Sequence, residues 1–324
     1  MGTLRGVFAA LVTPFTNTES VDEQGLRRLV DRLIEDGVHG LIPCGSTGEF
    51  ASLTQQERRT VTEVVIDQAA GRVPVVPQTG AMTTREAVEL SRHAARAGAA
   101  GIMVVAPHYE PLSPTEVKDY YRRVAGSVSA DVMVYNLPSA TGVNLAPVDI
   151  RDLADNTPNI KYVKDSSGDF GQAAALIHDY SDVISTFVGV ETCYLASLVE
   201  GASGAVLGSA NFLGPGLVQI YDQVMAGEIS AAIAGWKSIF DMMQALGACS
   251  DFISGVKGAM RLAGHPAGDP RAPILPLTET RSGQFESLLS GIGSHMLTGC
   301  NSDPSLRCSS DPAVALGGSQ AASP

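Results

Sequence analysis

The sequence lacks the features that mark several classes of protein. Its five cysteines are an odd number without a C-x-x-C pair, which argues against a disulfide framework or a zinc site and favours a reducing compartment. No apolar run reaches the roughly 18 residues that a membrane span needs, and the N-terminus has no signal-peptide layout. We therefore expect a cytoplasmic protein that does not contact a membrane.

Positive charge is scarce as well. The chain has 22 Lys and Arg residues against 34 Asp and Glu residues, a formal charge of −12, and no basic run offsets this locally. Such a chain repels phosphate backbones, so nucleic acid is not an expected partner. With 324 residues, 44% of them hydrophobic and 17% charged, the chain can bury a large core. These properties predict a globular α/β enzyme.

Several catalytic motifs are missing. No G-x-G-x-x-G follows the first predicted strand, no G-x-S-x-G elbow occurs, and no P-loop lysine is present. The six histidines are scattered along the chain. These absences argue against a dinucleotide-binding sheet, a serine nucleophile, a triphosphate site and a histidine-based metal site.

Eight short runs rich in Val, Ile and Met recur at intervals of roughly thirty residues, and most gaps between them show helical spacing of apolar residues. This alternation predicts a (β/α)₈ TIM barrel, whereas a doubly wound open sheet is the alternative with the same pattern. The predicted strands are Val7–Val12, Val38–Pro43, Val73–Gln78, Gly101–Val105, Asp131–Tyr135, Ile160–Val163, Ile184–Val188 and Gly204–Val206.

The chain divides into three parts. Residues 1–210 form the predicted barrel, and the apolar spacing beyond them predicts a C-terminal helical part over residues 211–293. More than half of residues 294–324 are Ser, Ala, Gly or Pro, without a hydrophobic period, which is typical of a disordered tail. The start of that tail, Gly293–Met296, also resembles a cloning scar.

In a barrel, reactive side chains project from the C-terminal ends of the strands. Lys164 directly follows the strand Ile160–Val163, so its amine would point into the barrel mouth. Burial among apolar walls favours the neutral, nucleophilic amine over the ammonium ion. The structural alternative is a salt bridge from Lys164 to Asp165 or to another loop carboxylate.

Two further segments carry candidate chemistry. Tyr135 ends the fifth predicted strand, where its phenol could move a proton or simply fill the core. The turn Gly45–Gly48 offers two hydroxyls and backbone N–H groups that suit a small carboxylate, although an ordinary βα turn has the same composition. We interpret the neighbouring Cys44 as a small buried residue and not as a nucleophile.

Together these segments closely resemble the dihydrodipicolinate synthase/N-acetylneuraminate lyase family. Gly45-Ser46-Thr47-Gly48-Glu49, Tyr135-Asn136-x-Pro138 and Val163-Lys164-Asp165 occur in that order, and the resemblance runs from Gly6 to Leu277. It implies a (β/α)₈ barrel with a C-terminal helical extension, and a homotetramer built from two tight dimers. It also implies a class I aldolase that makes or breaks carbon–carbon bonds beside pyruvate, with no metal or organic cofactor.

The resemblance assigns roles by position. Lys164 would form the Schiff base with the keto acid, and Tyr135 would be the general acid/base. Ser46 and Thr47 would bind the keto acid's carboxylate, and Thr47 would also relay protons to Tyr135. Tyr109 would reach across the dimer into the neighbouring site and complete that relay.

Departures from the family pattern bear on the substrate. Dihydrodipicolinate synthases usually carry an arginine at the position of Ala140, and sialic acid lyases carry two successive acidic residues where this chain has only Glu191. The positions that match the lyases' substrate-discriminating residues are mostly hydroxyl-bearing, and they are Ser166, Ser167, Gly189, Glu191, Thr192 and Ser209. The resemblance therefore favours an aldolase acting on a 2-keto-3-deoxy sugar acid or a related hydroxy-keto acid.

Two other hypotheses stay open. A dehydratase or condensing synthase, such as dihydrodipicolinate synthase itself or N-acetylneuraminate lyase, would use the same imine. A catalytically silent barrel would bind a keto acid without turnover. The sequence leaves the aldehyde partner, the direction of the reaction and its stereochemistry undetermined.

Overall fold

The computed structural model describes residues 3–110, 112–249 and 252–299. Seven parallel strands form one curved sheet in the order β2-β1-β7-β6-β5-β4-β3. Nearly all of their residues are buried, as expected for strands covered on both faces. The strands are β1 (Gly6–Ala10), β2 (Gly40–Ile42), β3 (Gly101–Val105), β4 (Asp131–Asn136), β5 (Ile160–Asp165), β6 (Ser185–Val188) and β7 (Gly204–Leu207).

The segment Val73–Gln78, predicted as a strand, does not form one. It contributes only isolated bridges, one from Val75 to β2 and one from Gln78 to β3. The physical reason is that Pro74 and Pro77 have no N–H to donate to a ladder. Their carbonyls still accept hydrogen bonds from Leu41 and Met103, so this segment occupies the eighth position and brings β2 and β3 together around a nearly closed barrel.

Helices cover the outside of the barrel and continue beyond it. Two of them begin with a capping box, α2 at Thr54 and α4 at Ser113, as their sequences indicate. The helices are α1 (Glu23–Glu35), α2 (Gln55–Ala69), α3 (Thr84–Ala97), α4 (Pro114–Ala125), α5 (Pro138–Thr141), α6 (Pro147–Asn156), α7 (Phe170–Asp179), α8 (Tyr194–Val199), α9 (Ala210–Met225), α10 (Ile229–Gly247), α11 (Phe252–Leu262) and α12 (Glu279–Ser290).

Alternation along the strands separates two packing environments. In β4, Met133 and Tyr135 belong to the cluster inside the barrel, whereas Val132 and Val134 pack outward against the helices. The same alternation in β5 places Tyr162 inside and Val163 outside. The next residue of β5, Lys164, therefore lies on the inner face.

The C-terminal part differs in two details from the predicted boundaries. α9 begins at Ala210 and packs against β1, so it completes the ring of helices around the barrel. Ser294–Met296, which the sequence assigns to the tail, form a 3₁₀ turn, and the Met296 side chain is buried against Gly216 of α9. Residues 300–324 of that predicted tail lie outside the described residues. In the described ranges, no helix has the length and apolar character to cross a membrane.

Candidate active site

Lys164 and Tyr135 lie side by side at the C-terminal ends of adjacent strands. They are partners in the parallel register of β4 and β5. The Lys164 side chain is only 5% exposed, and its Nζ lies 4.0 Å from the centroid of the Tyr135 ring. Two of the predicted catalytic residues are therefore in contact, and the amine faces an aromatic wall.

Asp165, the neighbouring carboxylate, does not pair with Lys164. It accepts hydrogen bonds from Asn136 Nδ2 at 2.9 Å, from Ser167 Oγ at 2.7 Å and from Gln172 Nε2 at 3.0 Å. Across the residues that the structure describes, Lys164 forms no ion pair. The predicted alternative, a salt bridge from Lys164 to Asp165 or to another loop carboxylate, is therefore absent from the described part of the chain.

A glycine and a serine border the lysine on the β6 side. A Cβ built on Gly189 would lie 2.1 Å from Ser166 Oγ and 2.6 Å from Lys164 Cε. Only glycine fits there without displacing the lysine stem or the hydroxyl. Ser166 Oγ is itself buried and has no hydrogen-bond partner among the described atoms. A buried, unpaired hydroxyl beside the amine is available to a bound molecule.

Glu191 and Ser209 are mutually satisfied. Glu191 Oε1 accepts from the backbone N–H groups of Gly208 and Ser209 at 2.8 and 3.3 Å, and Ser209 Oγ donates to Glu191 Oε2. Burial raises the pKa of Glu191, although these hydrogen bonds and the charge of Lys164 oppose that rise. Thr192, predicted beside them as a substrate ligand, is exposed.

The turn after β2 is held by its own backbone. Gly48 and Glu49 donate N–H bonds to the carbonyls of Gly45 and Ser46. Thr47 is buried, and its Cγ2 lies 3.3 Å from where a Cβ on Gly208 would be, which brings the turn close to the Glu191 loop. In the described part of the chain, no hydrogen bond connects Thr47 to Tyr135, so the predicted proton relay is not closed in this single chain.

Cys44 behaves as a small core residue. Its thiol is buried and donates a weak hydrogen bond to the carbonyl of Arg58. Burial raises the pKa of the Cys44 thiol to about 11, so the group stays protonated near neutral pH. It is not suited to act as a nucleophile.

A buried ion pair that the sequence did not reveal anchors the turn after β2 at Glu49. Lys257 Nζ of α11 lies 2.7 Å from Glu49 Oε1, and the two side chains are 2% and 0% exposed. The backbone N–H of Arg271 donates to Glu49 Oε2 at 2.8 Å. Lys257 and Arg271 both stack on the Phe15 ring. Residues of α11 and of the segment that follows it thus hold the β2 turn in place from more than 200 residues away.

Tyr109 stands apart from the other predicted site residues. It lies in the loop between β3 and α4, and it is 81% exposed. Within this chain it contacts neither Tyr135 nor Thr47 through a described hydrogen bond. Tyr109 therefore does not join the other predicted site residues within this single chain.

Comparison with known sequences identifies one family. The model of the dihydrodipicolinate synthetase family matches residues 3–292. A 4-hydroxy-tetrahydrodipicolinate synthase from Thermomicrobium roseum is 37% identical over 291 residues, which cover 90% of this chain and 94% of that protein. The protein of the same name from Nitratidesulfovibrio vulgaris is 33% identical over 289 residues, which cover 89% and 98%.

Solved structures agree with the sequence relatives. A prophage protein of the dihydrodipicolinic acid synthase family from E. coli K12, determined with pyruvate, superimposes with a TM-score of 0.85 at 32% identity, covering 89% of this chain and 98% of that one. The chloride-inhibited dihydrodipicolinate synthase from Acinetobacter baumannii, also with pyruvate, gives a TM-score of 0.86 at 29% identity, covering 89% and 99%.

Proposed function

The chain belongs to the dihydrodipicolinate synthetase family of pyruvate-dependent, class I aldolase-like enzymes, and from that premise we propose that Lys164 forms a Schiff base with pyruvate. As a member of this family, the enzyme is a carbon–carbon lyase or synthase. In the proposed reaction it joins pyruvate to an aldehyde, or cleaves the product back to them.

The observation that carries this proposal is the surroundings of the Lys164 amine. The side chain is buried at the end of β5, it faces the Tyr135 ring, and it has no ion-pair partner among the described residues. A lysine held in this way is available as a nucleophile toward a carbonyl carbon. A structural lysine in a barrel mouth would instead be expected to pair with a nearby carboxylate.

The proposed steps use residues already placed at the strand ends. The Lys164 amine adds to the keto carbon of pyruvate, and loss of water leaves an iminium ion. Removal of a proton from the methyl group gives an enamine, which attacks the aldehyde carbon while the aldehyde oxygen takes up a proton. Water then hydrolyses the product iminium ion, which releases the hydroxy-keto acid and regenerates the Lys164 amine. Tyr135 is the proposed acid/base for these transfers, an effect worth about 10²–10⁴-fold. Ser46 and Thr47 are the proposed ligands of the pyruvate carboxylate.

We propose that the compound cleaved to pyruvate and the aldehyde is a 2-keto-3-deoxy sugar acid or a related hydroxy-keto acid. The unpaired Ser166 hydroxyl beside Lys164 supports a hydroxylated carbon near the imine. Of the other proposed substrate-binding residues, Gly189 supports the site by leaving room for the lysine, whereas Glu191, Thr192 and Ser209 would have to rearrange or act through water.

A condensing synthase or dehydratase that uses the same imine is the second candidate. The names of the sequence relatives favour it, since those are 4-hydroxy-tetrahydrodipicolinate synthases. Ala140 weighs against it, because an alanine offers no charge-assisted hydrogen bond to a second carboxylate, a contact worth about 1.5–3 kcal/mol. A catalytically silent barrel that binds a keto acid is disfavoured, because the Lys164 amine has no ion-pair partner among the described residues.

We also propose that the enzyme is a homotetramer of two tight dimers, with Tyr109 supplied to each site by the other member of a dimer. The exposure of Tyr109 supports this, because a tyrosine that is 81% exposed in a single chain is free to insert into a second copy.

The Schiff base is tested by incubating the protein with pyruvate and borohydride, followed by intact-mass measurement and peptide mapping. We expect one reduced pyruvyl adduct, on Lys164. Lys164→Ala should abolish both the adduct and turnover. Lys161→Ala is the matched control, because Lys161 lies on the same strand but is exposed. Absence of an adduct, or adducts scattered over surface lysines, would contradict the proposal.

A further inference from the structure

An apolar cavity of about 230 Å³ adjoins the candidate active site. Its lining includes Phe50, Val105, Leu137, Ala140, Ile253 and Ile274. Ser46 of the turn after β2 is shared between the cavity and the site, and Val105 is the register partner of Tyr135. A molecule whose carboxylate lay at the Ser46 turn would therefore have this cavity within its immediate surroundings.

Several of the polar groups at the cavity wall are bound elsewhere. The Glu49 carboxylate is bound to Lys257 and to the Arg271 N–H. The Thr141 hydroxyl lies 3.0 Å from the Leu137 carbonyl, to which it donates, and the Ser52 carbonyl accepts from Arg271. The His108 ring lies edge-on to Phe50, with 5.7 Å between centroids. The described lining contains no Lys or Arg, and its one carboxylate, that of Glu49, is paired with Lys257.

Such a wall discriminates against polar substituents. A hydroxyl or carboxylate that entered the cavity would give up its hydrogen bonds to water and would find few replacements in the described lining, among them the Ser46 hydroxyl and the His108 ring. A buried polar group left unpaired is costly. Elsewhere in the candidate site, Ser209 Oγ already donates a hydrogen bond to the Glu191 carboxylate. The described site therefore offers few free groups to a chain of several hydroxyls, the unpaired Ser166 hydroxyl being the exception beside Lys164.

The cavity has room for a substantial apolar group. It exceeds the roughly 150 Å³ that accommodates a benzene molecule in a protein interior. Burial of apolar surface supplies about 25 cal/mol per Å², so an aryl or branched alkyl group gains more from this wall than a hydroxylated chain of equal size does.

Resting on the aldolase activity proposed above, and favouring the hydroxy-keto acid over the sugar acid among its two proposed substrate classes, we infer that the aldehyde carries an apolar substituent, aryl or branched alkyl, that occupies this cavity. The cleaved compound is then a 4-hydroxy-2-oxo acid with an apolar group on C4. In the forward direction a bond forms between the pyruvate methyl carbon and the aldehyde carbon. The methyl proton is lost and the aldehyde oxygen gains one, so atoms and electrons balance without an oxidant or reductant.

The test compares kcat/KM for addition of pyruvate to benzaldehyde, isobutyraldehyde, glyceraldehyde and succinic semialdehyde with the full chain. We expect the two apolar aldehydes to exceed glyceraldehyde and succinic semialdehyde by at least tenfold. The Lys164 adduct with pyruvate and borohydride is measured in parallel, because it reports the Schiff base independently of the aldehyde.

Ala140→Arg places a cation at the cavity wall. It should lower kcat/KM for benzaldehyde at least tenfold, raise it for succinic semialdehyde, and leave the rate of Lys164 adduct formation unchanged. Ser139→Arg is the matched control, since Ser139 is the exposed neighbour outside the cavity lining, and it should leave the aldehyde preference unchanged.

The outcomes separate the two proposals. If the adduct forms but glyceraldehyde reacts as well as the apolar aldehydes, or Ala140→Arg leaves the preference unchanged, the apolar substituent is wrong and the Schiff base stands. If no adduct forms on Lys164, the proposed function itself fails.

Discussion

At the scale of single residues, the space around Lys164 is set by a glycine. Gly189 lies where β6 ends, and its missing side chain leaves room for the Lys164 stem and the Ser166 hydroxyl. Any Cβ at this position would overlap both, and close-packed surroundings of this kind yield only by moving the crowded groups. The position of the amine therefore depends on a residue that carries no chemistry.

Gly189→Ala should slow reductive trapping of pyruvate on Lys164 at least tenfold, because the added methyl group displaces Lys164 Cε from its present position. Trapping rates by mass spectrometry at fixed pyruvate provide the measurement. Gly283→Ala is the control, since a Cβ on that exposed glycine of α12 meets nothing within 4 Å. The control should trap at the wild-type rate and gain up to about 1 kcal/mol of stability. Equal rates for all three proteins would show that Gly189 does not set the amine's position.

Single residues also show how far the sequence could predict the site. Strand alternation and the position after Val163 are enough to predict that Lys164 faces the barrel mouth. The role of Lys257 could not be predicted in this way. Its partner Glu49 lies more than 200 residues earlier, and no sequence motif contains both residues. Long-range pairing of buried charges leaves no local signal in a sequence.

At the scale of elements, the contact between the C-terminal segment and α2 rests on an ion pair. Arg271 donates through both terminal nitrogens to Glu57, at 3.1 and 2.8 Å, and also to the carbonyl of Ser52. Glu57 is at the same time the capping-box residue of α2. The Glu57 carboxylate therefore both caps the N-terminus of α2 and binds Arg271, which lies between α11 and α12.

This pair should make stability depend on pH. The Arg271 hydrogen bond is the main cause that lowers the pKa of Glu57 from 4.5 to about 2. Because the folded-state pKa is depressed, the contribution is complete above pH 4.5 and is lost as the pH falls toward 2. After solvent screening we expect on the order of 1 to 2 kcal/mol.

Urea unfolding of the wild type and Glu57→Gln from pH 6 down to about pH 2.5 measures this contribution. The difference in unfolding free energy between the two proteins should shrink as the pH falls. Glu89→Gln, at an exposed position of α3, is the control and should show no such trend. A difference that stays constant across this range would contradict the linkage.

Elements also show why one predicted strand is missing. The apolar run Val73–Gln78 has the composition of a buried strand, and its place in the ring is correct. The two prolines in it were visible in the sequence and limit the run to isolated bridges, because each removes one donor. Composition thus predicts where the segment lies in the barrel. The number of backbone N–H groups that it can donate predicts whether it pairs with its neighbours as a full strand.

At the scale of the whole molecule, the proposed role of Tyr109 can be tested by mixing variants. In a dimer formed from a Lys164→Ala chain and a Tyr109→Phe chain, one site receives an intact lysine and an intact tyrosine if Tyr109 acts across the interface. Mixing the inactive Lys164→Ala protein with the weakly active Tyr109→Phe protein should therefore restore activity, measured after dissociation and reassembly. If the mixture is no more active than the average of its parts, Tyr109 does not act in the other chain's site.

The anchoring of the β2 turn by Lys257 and Arg271 has a consequence for synthesis on the ribosome. Glu49 is made early, yet Lys257, whose ammonium group neutralises it, is translated more than 200 residues later. Until then a carboxylate in this position would be buried without a counter-ion, which is energetically unfavourable, so we expect the turn to stay open to solvent in the nascent chain. We therefore expect the proposed site at this turn to form only after α11 has been made, so that a half-made barrel would not bind the proposed keto acid.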